Sequence, residues 1–282
     1  MPNRPPEPLP PTSRAGLGLV PTVLVVGGLD PTGGAGLQAD IESIASMGAH
    51  ALPVITAVTA QDTHDVRMVA PLPATRVVEQ ARAVLADIPA AAIKVGLLGS
   101  AEIAQALQTI IKEHPGIPVV VDPICRAGGG TPLADEELLD AMVSLLFPLT
   151  TVLTPNTNEA RTLAPEADST AAAAQQLQSY GCASILVTGT HDQTTDAVVN
   201  RLYSEHRLMA QWEWERLPGE HHGSGCTLAS ALAAMLAHGV DLVSACADAQ
   251  AYTWRSLASG RALGAGQLIP NRLHWTNRGH QR

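Results

Sequence analysis

The amino-acid sequence predicts an α/β fold in which helices cover both faces of a mainly parallel central sheet. From Val23 onward, short β-branched runs alternate with alanine-rich stretches of helical character. Several of the runs are apolar throughout, which is typical of strands buried on both faces. Alternating strands and helices form right-handed βαβ units, and such units build a mainly parallel sheet. With 282 residues, 46% of them hydrophobic, the chain is long enough to bury a substantial core.

The predicted strands and helices follow one another in a regular order. Strands are predicted at 22–28, 52–58, 92–98, 117–123, 150–156 and 183–189. Helices are predicted at 37–48, 73–87, 101–114 and 172–181. Two of these helical stretches end at a glycine, which is a common C-terminal stop.

Three segments depart from this alternation. Residues 197–217 contain two strand-like runs joined by a short polar turn, which predicts an antiparallel hairpin at the sheet edge. From Gly223 to the C-terminus the chain is predicted to be mostly helical. Residues 1–20 carry six prolines in the first eleven positions and are predicted to form a disordered, extended tail. Residues 21–282 are therefore predicted to form a single domain.

Composition disfavours several classes of function. A net charge of -9 and an aromatic content of 3% argue against a nucleic-acid partner, because such binding relies on basic surfaces and stacking side chains. No apolar run reaches the roughly 18 residues of a membrane span, so no membrane partner is expected. The four cysteines form neither a C-x-x-C pair nor a zinc pattern, which indicates a reduced, cytoplasmic protein.

The sharpest local motif is His-Gly-Ser-Gly-Cys-Thr at 222–227, which leads directly into an alanine-rich stretch. Small residues at a helix start leave several backbone N–H groups free to point at one spot, and the helix dipole favours an anion there. The position also predicts a lowered pKa for the thiol of Cys226. A tight turn with a buried, inert cysteine is the alternative, and the local pattern leaves both open.

A second glycine-rich motif, at 27–40, follows a predicted strand and opens a predicted helix. The carboxyl ends of strands are where open α/β sheets bind ligands. The motif lacks the spacing of a dinucleotide fingerprint and the Gly-Lys-Ser/Thr of a phosphate-binding loop. Its glycines permit close approach to a ligand, although a plain turn explains them equally well.

Taken together and in order, the motifs resemble a known family. GLDPTGGAGLQAD, VTAQ, IKVGLLG, VVVDP, TPNTNEA and HGSGCT occur in sequence along the chain. They look like the hydroxymethylpyrimidine and phosphomethylpyrimidine kinases of thiamin biosynthesis. The resemblance covers nearly the whole chain beyond the tail. It implies the three-layer αβα sandwich of the ribokinase-like superfamily.

The resemblance assigns the reacting group to the glycine-rich motif at 222–227. By this likeness Cys226 accepts the proton of the substrate's hydroxymethyl group. Gly223, Ser224 and Gly225, together with Cys226, contribute the backbone N–H groups of an anion hole. Such a hole stabilises the charge that develops on a transferring phosphoryl group.

The same likeness implies ATP and Mg²⁺ as cofactors and names the residues near them. Asn156 and Glu159 match the family's P-N-x-x-E pattern, and Asp122 is a further candidate beside the metal. Oxygen ligands of this kind suit Mg²⁺. Thr188 begins a Thr-Gly-Thr-His stretch where many relatives have Lys-Gly-Gly-His, and we expect it on the nucleotide side. Glu159 also has a purely local explanation, since carboxylates are favoured in the first turn of a helix.

Four further residues are implied to contact the pyrimidine. Gln61 matches the family's pyrimidine-reading glutamine, since an amide complements a ring nitrogen and an exocyclic amine. Asp40 matches a carboxylate of the substrate pocket, and Gly28 lies where the family's backbone approaches the substrate. Leu97 stands where methionine is usual and would pack on the ring. Lys94, inside a predicted strand, is interpreted as structural or pocket-lining.

The chain also departs from the family at a predicted flap. Many relatives have a Lys-Ser-Gly-Asp-like stretch where this sequence has Arg126 and, shortly after it, three glycines at 128–130. The glycines suggest mobility over the site. Arg126 is a hypothetical replacement for the missing lysine.

The resemblance predicts phosphorylation of 4-amino-5-hydroxymethyl-2-methylpyrimidine by ATP and a second phosphorylation of the monophosphate to the diphosphate. Two alternatives remain open: a pyridoxal or pyridoxine kinase of the same fold, and a non-catalytic pyrimidine-binding regulatory module. A homodimer would be typical of relatives.

Overall fold

The computed structural model describes residues 20–190 and 196–277, so nearly all of the tail predicted at 1–20 lies outside the described residues. The described residues contain a nine-stranded sheet in the order β3-β2-β1-β4-β5-β6-β7-β8-β9. Its strands are β1 Thr22–Leu29, β2 His50–Gln61, β3 Val66–Pro71, β4 Ala92–Val95, β5 Val119–Val121, β6 Val152–Leu153, β7 Ser184–Val187, β8 Ala197–Ser204 and β9 Arg207–Glu215. From β2 to β7 all neighbours pair in parallel. The mainly parallel sheet is therefore confirmed.

Two helical layers cover the sheet. The helices are α1 Gly36–Ser46, α2 Ala74–Leu85, α3 Ala101–Glu113, α4 Glu136–Ala141, α5 Thr157–Leu163, α6 Thr170–Ser179, α7 Ser224–Ala237 and α8 Leu242–Ala258. One core cluster lies between the sheet and α2 to α6, and the other between the sheet and α1, α7 and α8. The predicted three-layer αβα sandwich is confirmed.

Strand β1 shows why its sequence is apolar throughout. Val23 and Val25 belong to the core cluster under α1, α7 and α8, whereas Leu24 and Val26 belong to the cluster on the opposite face. Side chains of a strand alternate between the two faces, so a strand that is covered on both needs apolar residues at every position.

The helix stops also agree with the sequence. Gly48 and Gly181 follow the last residues of α1 and α6 with φ angles of 78° and 107°. Glycine adopts this left-handed conformation without the steric cost that other residues incur. The two predicted glycine stops are therefore confirmed.

Both edges of the sheet are antiparallel. Strands β8 and β9 form the predicted hairpin, and its turn residues Glu205 and His206 have positive φ angles. At the opposite edge, β3 pairs antiparallel with β2. The sequence does not predict β3, because only Val66 of its six residues is buried and its apolar pattern is weak.

The prediction of a mostly helical C-terminal region holds for α7, α8 and a short 3-10 helix at His274–Asn277, but it is wrong for the segment between α8 and that 3-10 helix. The chain from Gly260 to Asn271 is a loop held by the isolated bridges His221–Leu268 and Arg261–Ile269. Gly264 and Gly266 allow this loop to lie against Thr63, because a Cβ atom at either position would come within 2.4 Å of it. Glycine and proline in the segment break the helical pattern. No described helix is both long and apolar enough to span a membrane.

The order of the strands indicates where a ligand would bind on the sheet. β1 lies between β2 and β4, so the connections after neighbouring strands diverge at this point. In open α/β sheets, ligands bind in the crevice outside the carboxyl ends of the strands at such a switch point. Both glycine-rich motifs face this crevice, one following β1 and the other opening α7.

Candidate active site

The start of α7 lies directly against the loop that follows β1. Gly223 caps the helix with a φ of 82°, and a Cβ atom there would lie 1.9 Å from the Gly34 carbonyl oxygen. Only glycine fits so close to another backbone. The first N–H groups of a helix have no partner within it, so the turn at 223–226 presents donors and the positive end of a helix dipole. The two glycine-rich motifs therefore meet at one corner whose free donors suit an anion, and we refer to it as the anion-binding corner.

Cys226 lies in the first turn of α7 and is buried as a free thiol. Burial raises the pKa of Cys226 to about 12, although Lys94 and the Gly36 backbone N–H act in the opposite direction. The lowered pKa that the helix start predicts is therefore wrong for this site, because desolvation outweighs the opposing effects of Lys94 and the Gly36 N–H. The alternative of a buried cysteine agrees with this burial, but nearby charged groups distinguish the site from an inert core.

Beneath Cys226 lies a buried ionic cluster. The Lys94 Nζ donates to Asp40 Oδ1 at 2.8 Å, and both side chains are shielded from solvent. Burial alone would lower the pKa of Lys94, but Asp40, Cys226 and Asp122 together raise it above its usual value. The neighbouring groups thus favour the charged form of Lys94, and its buried position fits the structural or pocket-lining role expected for it.

Asp40 is enclosed in this cluster instead of facing an open pocket. Its Oδ1 also accepts a hydrogen bond from Ser230 at 2.6 Å, and its Oδ2 approaches Gly27 at the end of β1. Asp40 is completely buried. Its contacts therefore lie behind the backbone that lines the crevice, and direct contact with a substrate stays a prediction.

Asp122 follows β5 and points at the anion-binding corner. Its two carboxylate oxygens lie 3.5 Å from the position of a Cβ atom on Gly225. Its Oδ2 is buried without a hydrogen-bond partner among the described residues. Burial raises the pKa of Asp122, and Asp40 adds to the effect while Lys94 opposes it.

Asn156 and Glu159 are brought together with Thr188. Asn156 Oδ1 accepts hydrogen bonds from the backbone of Asn158 and Glu159, and Glu159 Oε2 accepts from the Asn156 N–H, each at 2.9 Å. This is a capping box that starts α5. Thr188 forms a parallel bridge with Asn156. The pattern P-N-x-x-E therefore has a structural role whatever else it does.

Glu159 is nevertheless poorly stabilised as an anion. Burial raises its pKa to about 8, with repulsion from Asp122 as the second cause. Hydrogen bonds from the backbone of Asn156 and Cys125 only partly offset this. A carboxylate whose pKa is raised by burial and by a neighbouring carboxylate is stabilised as an anion by a nearby cation. In the part of the chain that is described, no group of three or more His, Cys, Asp or Glu side chains forms a metal cage.

The pair fits Mg²⁺ better than a metal that requires a complete protein cage. Mg²⁺ is commonly held by one or two carboxylates, with waters and substrate phosphates as its remaining ligands. Asp122 and Glu159 would supply the oxygen donors, and the Asp122 Oδ2, which has no hydrogen-bond partner among the described residues, is available to such a cation.

Gly28 and Leu97 meet on the other side of the crevice. A Cβ atom on Gly28 would lie 2.8 Å from Leu97 Cδ2, so the leucine packs directly on the glycine backbone. Gln61 ends β2, and its Nε2 donates to Thr59 Oγ1 at 2.9 Å. The structure thus brings Gly28 and Leu97 together and holds the Gln61 amide at the neighbouring strand end.

The flap is a small hairpin instead of an unstructured loop. Arg126 bridges Pro132, and its guanidinium donates to the Gly130 carbonyl at 3.2 Å. Thr131 donates to Asp65 at 2.8 Å, and a Cβ atom on Gly129 would collide with Asp65. The glycines therefore allow close packing against the β2–β3 turn. Arg126 is exposed, and its role in place of the missing lysine stays a hypothesis.

A side-chain hydrogen bond that the sequence does not reveal joins the two glycine-rich motifs. His222 Nε2 lies 2.8 Å from Asp30 Oδ2. Burial works against the charge of Asp30, but His222, Thr32 and Ala35 hydrogen-bond to the carboxylate and keep its pKa below the usual value. The Asp-x-Thr turn is a local signal for a capped carboxylate. No local signal identifies His222 as its partner.

The chain is similar to known kinases over most of its length. The profile of the family described as phosphomethylpyrimidine kinase matches residues 30–271. A hydroxymethylpyrimidine/phosphomethylpyrimidine kinase of Mycobacterium tuberculosis is 39% identical over 87% of this chain and 91% of its own. A thiamine biosynthesis bifunctional protein of Geobacter sulfurreducens is 36% identical over 89% of this chain and 52% of its own.

Solved structures share the fold across the same region. The pyridoxal kinase of Staphylococcus aureus, in complex with AMP-PCP and pyridoxal, superposes with a TM-score of 0.83 at 26% identity. The alignment covers 92% of this chain and 96% of that one. A kinase of the same fold thus binds AMP-PCP and pyridoxal together.

Proposed function

The chain belongs to the phosphomethylpyrimidine kinase family and is therefore a phosphotransferase, and we propose that it phosphorylates 4-amino-5-hydroxymethyl-2-methylpyrimidine with ATP. It then phosphorylates the monophosphate to the diphosphate for thiamin biosynthesis. The observation that carries this proposal is the anion-binding corner with Cys226 in its first turn, together with the 39% identity to the mycobacterial kinase. The chain spans about half the length of the bifunctional relative, and nothing of that relative's second half is carried over.

In the proposed mechanism, Cys226 Sγ takes the proton of the substrate hydroxyl while the hydroxyl oxygen forms a bond to the γ-phosphorus of ATP. The bond between that phosphorus and the bridging oxygen breaks, and ADP leaves. Because burial keeps the thiol protonated, only the thiolate population acts as the base. Lys94 and the Gly36 N–H favour that population. The N–H groups at 223–226 stabilise the charge on the transferring phosphoryl group.

We assign Glu159 and Asp122 to the metal, and Asn156 and Thr188 to the nucleotide side. Bound Mg²⁺ would neutralise charge on the ATP phosphates. Glu159 would bind it as the carboxylate whose charge the fold leaves uncompensated. Asn156 positions Glu159 through the capping box. On the opposite side, Gln61, Gly28 and Leu97 would hold the pyrimidine.

We also propose that the protein is a cytoplasmic homodimer. The four cysteines are all free thiols, which supports a reducing compartment. Leu29, Val58 and Met68 expose apolar side chains near the β2–β3 edge, which supports contact with a second copy. Light scattering of the purified protein tests the assembly, and a monomer at micromolar concentration would contradict it.

The decisive experiment measures ATP consumption with hydroxymethylpyrimidine, its monophosphate and pyridoxal in parallel at limiting concentrations. The proposal expects the highest kcat/KM for the two pyrimidines. A higher value for pyridoxal would instead favour the pyridoxal kinase alternative, which the structural likeness to the staphylococcal enzyme keeps in view. Binding of the pyrimidine without ATP turnover would favour the regulatory module.

A further inference from the structure

Arg272 is a buried cation that the proposed chemistry does not use. It lies in the C-terminal segment, far in sequence from both glycine-rich motifs, yet only 1% of its surface is exposed. Its nearest carboxylate oxygen belongs to Glu42, at 3.4 Å, and that side chain is partly exposed. A buried arginine with so weak an ion pair costs free energy through desolvation. Stability alone would favour an apolar residue at this position.

The guanidinium donates hydrogen bonds to both segments that form the anion-binding corner, the loop after β1 and the first turn of α7. Its Nη1 donates to the Gly33 carbonyl at 3.1 Å, and its Nη2 donates to the Gly34 carbonyl. Its Nε donates to Thr227 Oγ1 at 2.9 Å. Thr227 in turn donates to the Gly223 carbonyl at 2.8 Å. The planar Arg272 guanidinium thus fixes the position of the loop after β1 relative to the first turn of α7.

Both ends of this arrangement reach Cys226. On one side, Thr227 is the next residue in the helix. On the other, the backbone N–H of Gly36, two residues beyond Gly34, lies near enough to the Cys226 sulfur to act against the rise in the pKa of its thiol. Gly36 is itself pressed against the end of β1, since a Cβ atom there would lie 2.4 Å from the Gly28 carbonyl oxygen. A shift of the loop at 33–36 would therefore move its backbone relative to the Cys226 sulfur and to the donors at 223–226.

The C-terminal segment is anchored separately, so Arg272 is not needed merely to hold it. The Arg272 carbonyl accepts hydrogen bonds from Ser46 and from Tyr252, both at 2.8 Å. The Asn271 N–H donates to the Ser256 carbonyl. These backbone contacts survive any change of the side chain. The side chain and the backbone of Arg272 therefore have separable effects.

We propose that Arg272 is a positioning residue for phosphoryl transfer, which locks the loop at 33–36 against the first turn of α7 so that the loop keeps a fixed position relative to Cys226 and the anion-hole donors. The inference rests on the proposed kinase function. Misplacement by about 1 Å reduces the rate of an enzyme by up to about 100-fold. The expected signature is a loss in kcat, because nucleotide and pyrimidine contact other parts of the site.

The test compares Arg272→Met, Arg272→Lys and Phe147→Leu with the native enzyme. Phe147 is completely buried in the opposite core cluster, so its truncation lowers stability without touching the corner. We expect kcat of Arg272→Met to fall about 10- to 100-fold with KM for ATP within about threefold of native. Arg272→Lys, which keeps the charge but not the fork, should lie between. Phe147→Leu should lower Tm and leave kcat per folded molecule unchanged.

Native kcat in Arg272→Met, or an equal loss in Phe147→Leu, would overturn the inference. Thr227→Val supplies a second route if Arg272→Met does not fold, because it removes the acceptor of the Nε bond at nearly constant volume. A several-fold loss of kcat there supports the inference, and an unchanged kcat contradicts it. An inactive native enzyme would instead refute the proposed function, so the two failures are distinguishable.

Discussion

Asp30 and Glu159 both lie just beyond the carboxyl ends of buried parallel strands, yet the fold treats their charges in opposite ways. Asp30 is compensated by His222 and by hydrogen bonds from the loop that follows it, and its pKa is lowered. Glu159 faces a second carboxylate, Asp122, and its pKa is raised. The base side of the site, which comprises 30–36 and 222–227, is thus complete within the protein. The metal side, which comprises Asp122, Asn156 and Glu159, requires a cation to complete it.

This difference indicates how each side should respond to mutation. On the base side, every carboxylate oxygen of Asp30 already has a partner, so substitutions break existing interactions. On the metal side, a substitution that removes charge relieves repulsion in the free protein and harms only the loaded enzyme. Stability and activity should therefore fall together on the base side and separate on the metal side.

The largest effect is expected from Cys226→Ala on the base side. Removing a positioned general base lowers kcat by about 10²- to 10⁴-fold. Cys246→Ala is the matched control, because Cys246 is equally buried and free but belongs to α8. Steady-state kinetics with hydroxymethylpyrimidine measures both. Full activity of Cys226→Ala would show that the base side owes its effect to the anion hole alone.

Asp30→Asn should give the next largest effect. The variant loses the charge that pairs with His222, and we expect a destabilisation of about 1–3 kcal/mol in urea unfolding at neutral pH. Because the folded pKa of Asp30 is lowered, its contribution is present above the unfolded value near 3.8 and is lost as pH falls through the folded value. The variant should therefore lose less stability than the native protein on acidification.

Asp135→Asn is the control for Asp30→Asn. Asp135 caps α4 by accepting the Leu138 N–H at 2.8 Å, and asparagine caps helices equally well. The contrast between the two sides would be contradicted if Asp30→Asn lost as much stability on acidification as the native protein. It would also be contradicted if Asp135→Asn were destabilised as much as Asp30→Asn at neutral pH.

The sequence predicts those elements that are determined by residues close together in the chain. Buried strands such as β5, glycine stops and the glycine-rich start of α7 are encoded in neighbouring residues. The Asp30–His222 pair spans 192 positions and the Arg272–Gly34 bond spans 238, so no local pattern reports them. The burial that raises the pKa of Cys226 is likewise set by the packed tertiary structure. The resemblance of ordered motifs supplied the candidate residues, but not the balance of charge among them.

Glu159→Gln should weaken the metal side without destabilising it. Glutamine serves at this position of a capping box, so the start of α5 is preserved while the charge is removed. The Mg²⁺ concentration for half-maximal activity should rise roughly tenfold, equivalent to about 1.4 kcal/mol. Glu137→Gln, in the first turn of α4, is the control and should behave as the native enzyme. An unchanged Mg²⁺ dependence in Glu159→Gln would remove this residue from the metal side.

The smallest expected effect is the pH dependence of stability in the metal-free protein. The folded pKa of Glu159 is raised to about 8 from an ordinary value of 4.5, so the stability associated with its proton is present at low pH and is lost as pH rises through 8. Solvent reaches part of the side chain and screens the charge, so we expect a fall in Tm of only about 2–4 °C between pH 5.5 and 8.5 in EDTA.

Mg²⁺ should reverse that fall, because it binds the deprotonated carboxylates more tightly as pH rises. Glu159→Gln should flatten the metal-free profile and reduce the stabilisation by Mg²⁺. A Tm that rises with pH in EDTA would show that Glu159 is compensated within the fold, as Asp30 is. The two carboxylates would then be alike, and the metal would have to be held elsewhere in the crevice.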